Sequence, residues 1–209
     1  MNSGFISMPA SDQNFHLYLA STSPRRQALL RQAGYAFEAL TIAIDETPGK
    51  NEKADTFVSR MALEKARAGW QHEQRTSLVP VVGSDTVVVL DDNILGKPHD
   101  REHAILMLEV LSGRCHQVLS AVAIKQGDDE SVVVSVSEVC FRHLSRAEIE
   151  AYWLTGEPEG KAGAYAIQGR AALFIRHLQG SYSSVMGLPL YETAELLTKS
   201  GVLPLTATE

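Results

Sequence analysis

Residues 16–34 read HLYLASTSPRRQALLRQAG, and this stretch decides the expected fold. Its first five residues form a short apolar run, which is typical of a buried β-strand. Ser23 is a residue type favoured at a helix N-cap, Pro24 suits the first helical position, and Gly34 suits the position just past a helix end. We therefore predict a strand that leads directly into a helix beginning at Pro24.

Outward from this unit, strand and helix patterns alternate through the first half of the chain. Two long strand patterns around the loop QGDDE then indicate a hairpin, and Ser145 with Glu148 forms a capping box that predicts a helix start. The sequence therefore predicts an α/β protein with a mixed sheet. The remaining predicted strands cover 37–44, 78–90, 117–124, 132–141 and 173–177, and the remaining helices about 55–70, 100–111, 145–154 and 190–199.

Composition limits the classes of protein to which the chain can belong. A hydrophobic fraction of 44% allows an ordinary buried core. The net charge of −6 argues against a general nucleic-acid binder, which needs a clustered positive field. We see no linker that would divide the chain, so residues 16–209 are expected to form one domain after a short flexible extension, residues 1–15.

Neither targeting nor cysteine chemistry is indicated. No apolar run approaches the length of a membrane span, and the N-terminus lacks the pattern of a signal peptide, so we expect a cytoplasmic protein. Cys115 and Cys140 have no close partner in the sequence and form no CxxC pair. We therefore predict two buried, reduced thiols.

The start of the first helix has the features of an anion site. Backbone N–H groups and the positive end of the helix dipole converge there. Arg25 and Arg26 oppose that dipole, and a bound anion would remove the conflict. The alternative is a Ser23 cap followed by two solvated arginines.

Lys65 and Asp85 are charged residues in apolar surroundings. Lys65 lies four residues after Met61 on the apolar stripe of its helix, so its ammonium either reaches out to solvent or is held over a site. Asp85 stands between two runs of valine, where a carboxylate needs a partner or a cation. A tight turn at GSDT is the competing explanation for Asp85.

Two weaker signals lie further along the chain. Lys97 precedes Pro98, which favours an extended backbone for the lysine. The stretch GKAGAYAIQG, residues 160–169, is rich in small residues that allow close backbone approach. Gln168 within it could read a base edge through its amide, although most loop glutamines are simply solvated. Together with the cations and carboxylates, these groups match what a nucleotide site needs.

Eight motifs in order along the chain resemble the Maf family of nucleotide pyrophosphatases. They are LASTSPRRQALL, IDET, LEKA, GSDTVV, GKP, LSG, GEPEGKAGAYAIQG and GSYSSVMGLPL. The resemblance covers nearly the whole chain, from Leu17 to about Gly201. It implies a two-lobed mixed β-sheet with flanking helices and a central cleft, similar to the inosine triphosphate pyrophosphatases.

The resemblance also implies a reaction and a set of residue roles. The reaction is hydrolysis of a nucleoside triphosphate to the monophosphate and pyrophosphate with Mg²⁺ or Mn²⁺, and GSDT with AIQG resembles the subfamily acting on thymidine and uridine triphosphates. The implied catalytic residues are Asp85 and Lys65, and the implied metal ligands are Asp85 and Glu46. The implied substrate-binding residues are Ser23, Arg25, Arg26, Lys97, Thr86 and Gln168.

Two other functions stay open on the sequence. One is a nucleotide-binding regulator of cell division, which would not need the carboxylates Asp85 and Glu46. The other is a pyrophosphatase for 7-methylguanosine triphosphate, whose subfamily tends to carry glutamate in place of Gln168. The expected partner is a nucleoside triphosphate, with neither nucleic acid nor membrane, and the resemblance implies a homodimer.

Overall fold

The computed structural model describes residues 15–204, which form a seven-stranded mixed sheet with helices on both faces. The strands are β1 (Leu17–Leu19), β2 (Phe37–Ala39), β3 (Val81–Leu90), β4 (Asn93–Leu95), β5 (Cys115–Gln126), β6 (Asp129–Phe141) and β7 (Ile175–Gln179). The helices are α1 (Pro24–Gln32), α2 (Ala54–Trp70), α3 (Arg101–Leu111), α4 (Arg146–Trp153), α5 (Tyr182–Met186) and α6 (Leu190–Lys199). The predicted α/β class with a mixed sheet is confirmed.

The strand order is β2-β1-β3-β5-β6-β7, with β4 paired to β3 off this path. β1 runs parallel to β2 and β3, whereas β3, β5, β6 and β7 form antiparallel pairs. The helix between β1 and β2 provides the crossover that a parallel pair requires. The central strand β3 therefore lies where the parallel and antiparallel parts of the sheet meet.

Side chains of β3 alternate between two covered faces, as the pleat of a strand requires. Val87 and Val89 pack against α2 together with Leu119 of β5, whereas Val88 packs on the opposite face with α3 and α4. Within β3, Asp85 and Thr86 alone are only partly buried. The cover of the sheet therefore has a gap at these two adjacent residues, which face opposite sides.

Gly83 lets α2 lie directly on β3. A Cβ atom at this position would lie 2.2 Å from the carbonyl oxygen of Ala62 and 2.6 Å from the backbone nitrogen of Ala66. No side chain fits at such distances, so the close approach of α2 depends on glycine. This packing brings Lys65, one residue before Ala66, onto the strand at Asp85.

Most predicted elements are confirmed, and the differences have local causes. Helix α1 begins at Pro24, and the capping box of Ser145 and Glu148 is present. The predicted strand 37–44 extends only over Phe37–Ala39, and the hairpin strands are longer than predicted because regular pairing continues to Gln126 and Asp129. The short helix α5 was not predicted because five residues are too few to show helical periodicity.

The alternative of a tight turn at GSDT is wrong, because β3 is continuous through these residues. Ser84, Asp85 and Thr86 pair in register with residues of β5. Their polarity indicates a site rather than a break in the strand.

The prediction of two reduced, buried thiols is also wrong. Cys115 is exposed at the start of β5 and lies directly opposite Cys140 of β6, and a disulfide joins them. The two residues are 25 positions apart in sequence, so their proximity follows only from the hairpin register. Cys140 itself is buried, as predicted.

The predicted flexible extension, residues 1–15, lies outside the described residues except for Phe15. The ring of Phe15 packs edge-on against Tyr18, with 4.9 Å between ring centroids. Within residues 15–204, none of the helices combines the length and the apolar character needed to cross a membrane.

Candidate active site

A polar cleft of about 430 Å³ opens at Asp85 and Thr86, where the cover of the sheet has its gap. Several segments of the chain meet there: the β1–α1 turn with the first turn of α1, the loop after β2, α2, β3, the loop after β4, β5 and the segments before and after β7. Each predicted site residue lines this cleft, namely Ser23, Arg25, Arg26, Glu46, Lys65, Asp85, Thr86, Lys97 and Gln168. The fold therefore brings together residues that are spread over more than half of the sequence.

A chain of ion pairs forms the centre of the cleft. The Lys65 Nζ lies 2.7 Å from Asp85 Oδ1 and 2.6 Å from Glu46 Oε1. The Lys97 Nζ lies 2.6 Å from Glu46 Oε2. Lys65 is only 8% exposed, so its ammonium does not reach out to solvent but is held between two carboxylates.

These contacts keep Glu46 charged. Burial alone would raise the pKa of Glu46, but the hydrogen bonds and charges of Lys65 and Lys97 outweigh it and lower the pKa to about 2. Glu46 is therefore an ionised acceptor at neutral pH.

The two arginines of α1 differ in how many of their donors are free. Arg26 donates from Nε to the Gly187 carbonyl at 2.8 Å, from Nη1 to Ser21 Oγ at 3.3 Å and from Nη2 to Thr86 Oγ1 at 3.5 Å. Arg25 donates from Nε to the Met186 carbonyl at 3.2 Å, and within residues 15–204 its other nitrogens donate no hydrogen bond. Arg25 therefore has free donors that line the cleft.

The arginines and the helix start form a positively charged region. Burial and the neighbouring charge of Arg26 lower the pKa of Arg25, and burial lowers the pKa of Arg26. Ser23 occupies the N-cap position of α1, but its side chain makes no capping bond, and the first turn contains no acidic residue. The first amides of α1 are therefore available to an anion.

Thr86 and Gln168 line the same cleft with different degrees of constraint. Thr86 Oγ1 lies 2.8 Å from Ser120 Oγ, whose hydroxyl also bonds the Ser184 carbonyl. Gln168 is exposed, and its amide makes no hydrogen bond within the described part of the chain. The structure therefore fixes the hydroxyl of Thr86, whereas nothing among residues 15–204 fixes the orientation of the Gln168 amide.

Sequence reasoning missed the residues that support the cleft. Ser120, the carbonyl of Ser184 and the carbonyl of Gly187 hold Thr86 and Arg26. Tyr165 also lines the cleft, and its hydroxyl lies 2.9 Å from Nε2 of buried His116. The sequence signal for Ser184 and Gly187 is the run of small residues in GSYSSVMG, which is also typical of an ordinary loop, whereas Ser120 lies in an ordinary strand pattern.

The residues present fit a divalent cation. Asp85 and Glu46 are both bound to one ammonium and so lie close together, and carboxylate oxygens are the ligands that Mg²⁺ and Mn²⁺ prefer. Among residues 15–204 the cleft holds no group of three protein ligands. Mg²⁺ in proteins is typically bound by one or two carboxylates, and phosphate oxygens and water complete its coordination.

The fold and this cleft together define an α/β protein whose cationic cleft, beside a pair of carboxylates, is suited to a small anionic ligand. Residues 16–200 match the family described as Maf-like protein, and the chain belongs to this Maf family.

Relatives of known name match most of the chain. A protein of Alkalilimnicola ehrlichii is 56% identical over 185 residues, which cover 87% of this chain and 91% of that protein. A protein of Methylococcus capsulatus is 51% identical over 190 residues, covering 91% and 93%. One of Xanthomonas euvesicatoria pv. vesicatoria is 52% identical over 189 residues, covering 88% and 98%. Each of the three is named dTTP/UTP pyrophosphatase.

Proposed function

We propose that the protein hydrolyses uridine and thymidine triphosphates to the monophosphate and pyrophosphate. The observation that carries this proposal is the ammonium of Lys65 held between Asp85 and Glu46, in a cleft that also contains Arg25 and Arg26. The names of the similar proteins support the choice of pyrimidine substrates. A role in clearing nucleotides from the cellular pool follows from this reaction.

Asp85 and Lys65 act at the reacting phosphorus in this proposal. Within the described residues Asp85 Oδ1 bonds Lys65, and Oδ2 makes no hydrogen bond, so Oδ2 is free to orient a water and accept its proton. Lys65 fixes the direction of that carboxylate. A Mg²⁺ or Mn²⁺ bound by Asp85 and Glu46 would neutralise phosphate charge and acidify the water. Asp85 acts as base, ligand or both.

The remaining cations stabilise the leaving pyrophosphate. Arg25 presents planar donors suited to phosphate oxygens, and Lys97 supplies a point charge at the other side of Glu46. Arg26 holds the β1–α1 turn against Gly187 and adds its charge. Because water attacks directly, the reaction needs no nucleophilic serine or cysteine.

The test separates the products and the metal requirement. Purified protein is incubated with uridine triphosphate and Mg²⁺ or Mn²⁺, and pyrophosphate and orthophosphate are quantified separately. We expect pyrophosphate as the first product and no activity in excess chelator. Orthophosphate as the first product, or full activity in chelator, would contradict the proposal.

Three further features belong to this proposal. The reaction fits a cytoplasmic enzyme, because its substrates are intracellular nucleotides. Residues 16–209 act as one domain, which the family match over residues 16–200 supports. A homodimer is the expected assembly, and sedimentation of the purified protein tests it.

A further inference from the structure

Two cysteines and a histidine form one row across three neighbouring strands. Cys115 of β5 lies directly opposite Cys140 of β6, and His177 of β7 lies directly opposite Cys140 in turn. Residues paired in this way point to the same side of a sheet, so the three side chains share one face. Cys115 and His177 are exposed. The row is therefore open to solvent.

Glu138 brings a carboxylate to the same row. It lies two residues before Cys140 on β6, so its side chain points to the side on which the sulfurs lie. Its Oε1 lies 3.8 Å from Cys140 Sγ, and within residues 15–204 this carboxylate has no other hydrogen-bonding or ionic partner. The ligand atoms of Cys115, Glu138 and Cys140 all lie within 4.8 Å of one another. The hairpin therefore brings two sulfurs and a free carboxylate together at one point of the surface.

The charges around the two sulfurs favour a cation once the disulfide is reduced. Reduction adds two electrons and two protons to the bond between Cys115 and Cys140 and gives two thiols. The Arg176 guanidinium, whose Nη2 lies 4.0 Å from Cys115 Sγ, favours the thiolate form of that cysteine. Two thiolates and Glu138 outweigh the positive charge of Arg176. The reduced group therefore carries a net negative charge that a divalent cation neutralises.

The kind of donor atom selects Zn²⁺ among the common divalent cations. Thiolates bind Zn²⁺ in preference to Mg²⁺ or Ca²⁺, and cysteine, carboxylate and imidazole are all ligands of tetrahedral Zn²⁺. Two sulfurs bound to one Zn²⁺ at about 2.3 Å lie about 3.8 Å apart, which directly opposed cysteines of a β-pair reach without a shift of register. In the reducing cytoplasm disulfides are rare, and paired cysteines of cytoplasmic enzymes are more often metal-binding or catalytic.

We propose that Cys115, Glu138 and Cys140 form a Zn²⁺ site in the reduced protein and that formation of the disulfide empties this site. The fourth position of the metal lies beside His177, the next residue of the row. Binding of Zn²⁺ releases the two thiol protons. A small-molecule disulfide reverses the binding: the two thiolates join as the protein disulfide, the small disulfide takes up two electrons and two protons to become two thiols, and Zn²⁺ leaves. None of these four residues lines the cleft, so the inference goes beyond the proposed function and does not depend on it.

Binding of Co²⁺ to the reduced protein tests the site, because Co²⁺ replaces Zn²⁺ and its bonds to thiolate absorb in the near ultraviolet. The full-length protein is reduced with a phosphine under anaerobic conditions and titrated with Co²⁺. Excess Mg²⁺ is present to occupy sites with oxygen ligands, such as Asp85 and Glu46, because Mg²⁺ competes poorly for thiolates. The chain contains two cysteines, so thiolate absorption reports on this pair alone. We expect a thiolate-to-cobalt band that saturates at about one Co²⁺ per chain and disappears on addition of Zn²⁺ or of oxidised glutathione.

Glu138→Gln separates a site with a third ligand from a pair of thiols that binds metal alone. This variant keeps both sulfurs, and its matched control is Asp129→Asn, which removes a carboxylate at the other end of β6. We expect Glu138→Gln to raise the Kd for Co²⁺ by about tenfold or more, because the metal loses a charged ligand. Asp129→Asn should change this Kd by less than about twofold, because its charge is distant and screened by salt.

Three results would overturn the proposal. The first is a reduced protein, with both thiols confirmed by a thiol reagent, that shows no thiolate-to-cobalt band in a large excess of Co²⁺. The second is an unchanged Kd in Glu138→Gln. The third is one Co²⁺ per two chains, which would assign the sulfurs to a bridge between molecules. Each readout is spectroscopic, so a protein that hydrolyses no nucleotide would refute the proposed function and leave this test intact.

Discussion

Replacement of Lys65 by methionine should destabilise the protein, although methionine matches the apolar stripe of α2. Removal of one partner from a fully buried ion pair costs about 3–5 kcal/mol. The side chain of Glu46 is 40% exposed and keeps its bond to Lys97, so most of the penalty falls on Asp85, which is 13% exposed. We therefore expect a loss of about 1–3 kcal/mol in the free energy of unfolding.

Thermal melting at neutral pH without nucleotide measures this loss. For a chain of this length each kcal/mol lowers Tm by about 2–4 °C, so Lys65→Met should melt roughly 2–12 °C below the unaltered protein. Arg67→Met on the same helix is the matched control. The side chains of its pair with Glu130 are 51% and 25% exposed, more than the 10% and 13% of Lys65 and Asp85, and loss of this pair should cost no more than about 1 kcal/mol.

The pH dependence of the Tm difference between Lys65→Met and the unaltered protein gives a second readout. The pKa of Glu46 is lowered from 4.5 to about 2 in the folded protein. Its contribution to stability is therefore fully present above pH 4.5 and is lost as the pH falls towards 2. Because Lys65 causes part of that lowering, the Tm gap between the two proteins should narrow as the pH falls below 4.5. A variant as stable as the unaltered protein at pH 7, or a gap that does not change with pH, would refute the reasoning.

Three other substitutions have distinct expected outcomes. Asp85→Asn should fold but lose on the order of 10²–10⁴-fold in kcat, as expected for a positioned acid–base group. Melting and turnover measured on one sample check this prediction, and an unstable protein with normal specific activity would contradict it. Gln168→Glu should lower kcat/KM for uridine triphosphate relative to a 7-methylguanosine triphosphate substrate, because a carboxylate cannot donate to a base carbonyl. An unchanged ratio of the two kcat/KM values would exclude Gln168 from base recognition. Gly83→Ala should lower Tm by several degrees or prevent folding, because its Cβ would lie 2.2 Å from the Ala62 carbonyl; a melting curve like that of the unaltered protein would show that α2 can move away from β3.

The sequence predicts individual charged residues better than it predicts their partners. Lys65 is conspicuous because it lies on an apolar stripe, and Asp85 because valines flank it. Neither pattern reveals that one ammonium binds Asp85 and Glu46 together. That contact depends on how closely α2 approaches β3, which Gly83 determines through a distance that no periodicity contains.

The register between strands explains the other contacts that the sequence did not predict. Cys115 and Cys140 have no neighbouring cysteine in sequence, yet the hairpin register places them opposite each other. Ser120 has an ordinary strand pattern around it, and its role follows only from Thr86 across the sheet and the Ser184 carbonyl beyond it. Local patterns predict elements, whereas a site built across three segments requires the fold.

The charges of the cleft distinguish an enzyme from a simple nucleotide-binding protein. The whole chain has a net charge of −6, whereas the five cations and three carboxylates that line the cleft leave it at +2. This local field favours a small polyanion. A protein that only bound nucleotide would bind it more tightly without Asp85 and Glu46, because both carboxylates repel phosphate and occupy Lys65 and Lys97. Carboxylates that weaken ground-state binding are useful where they hold a cation or take a proton as the bond breaks, which is what catalysis requires.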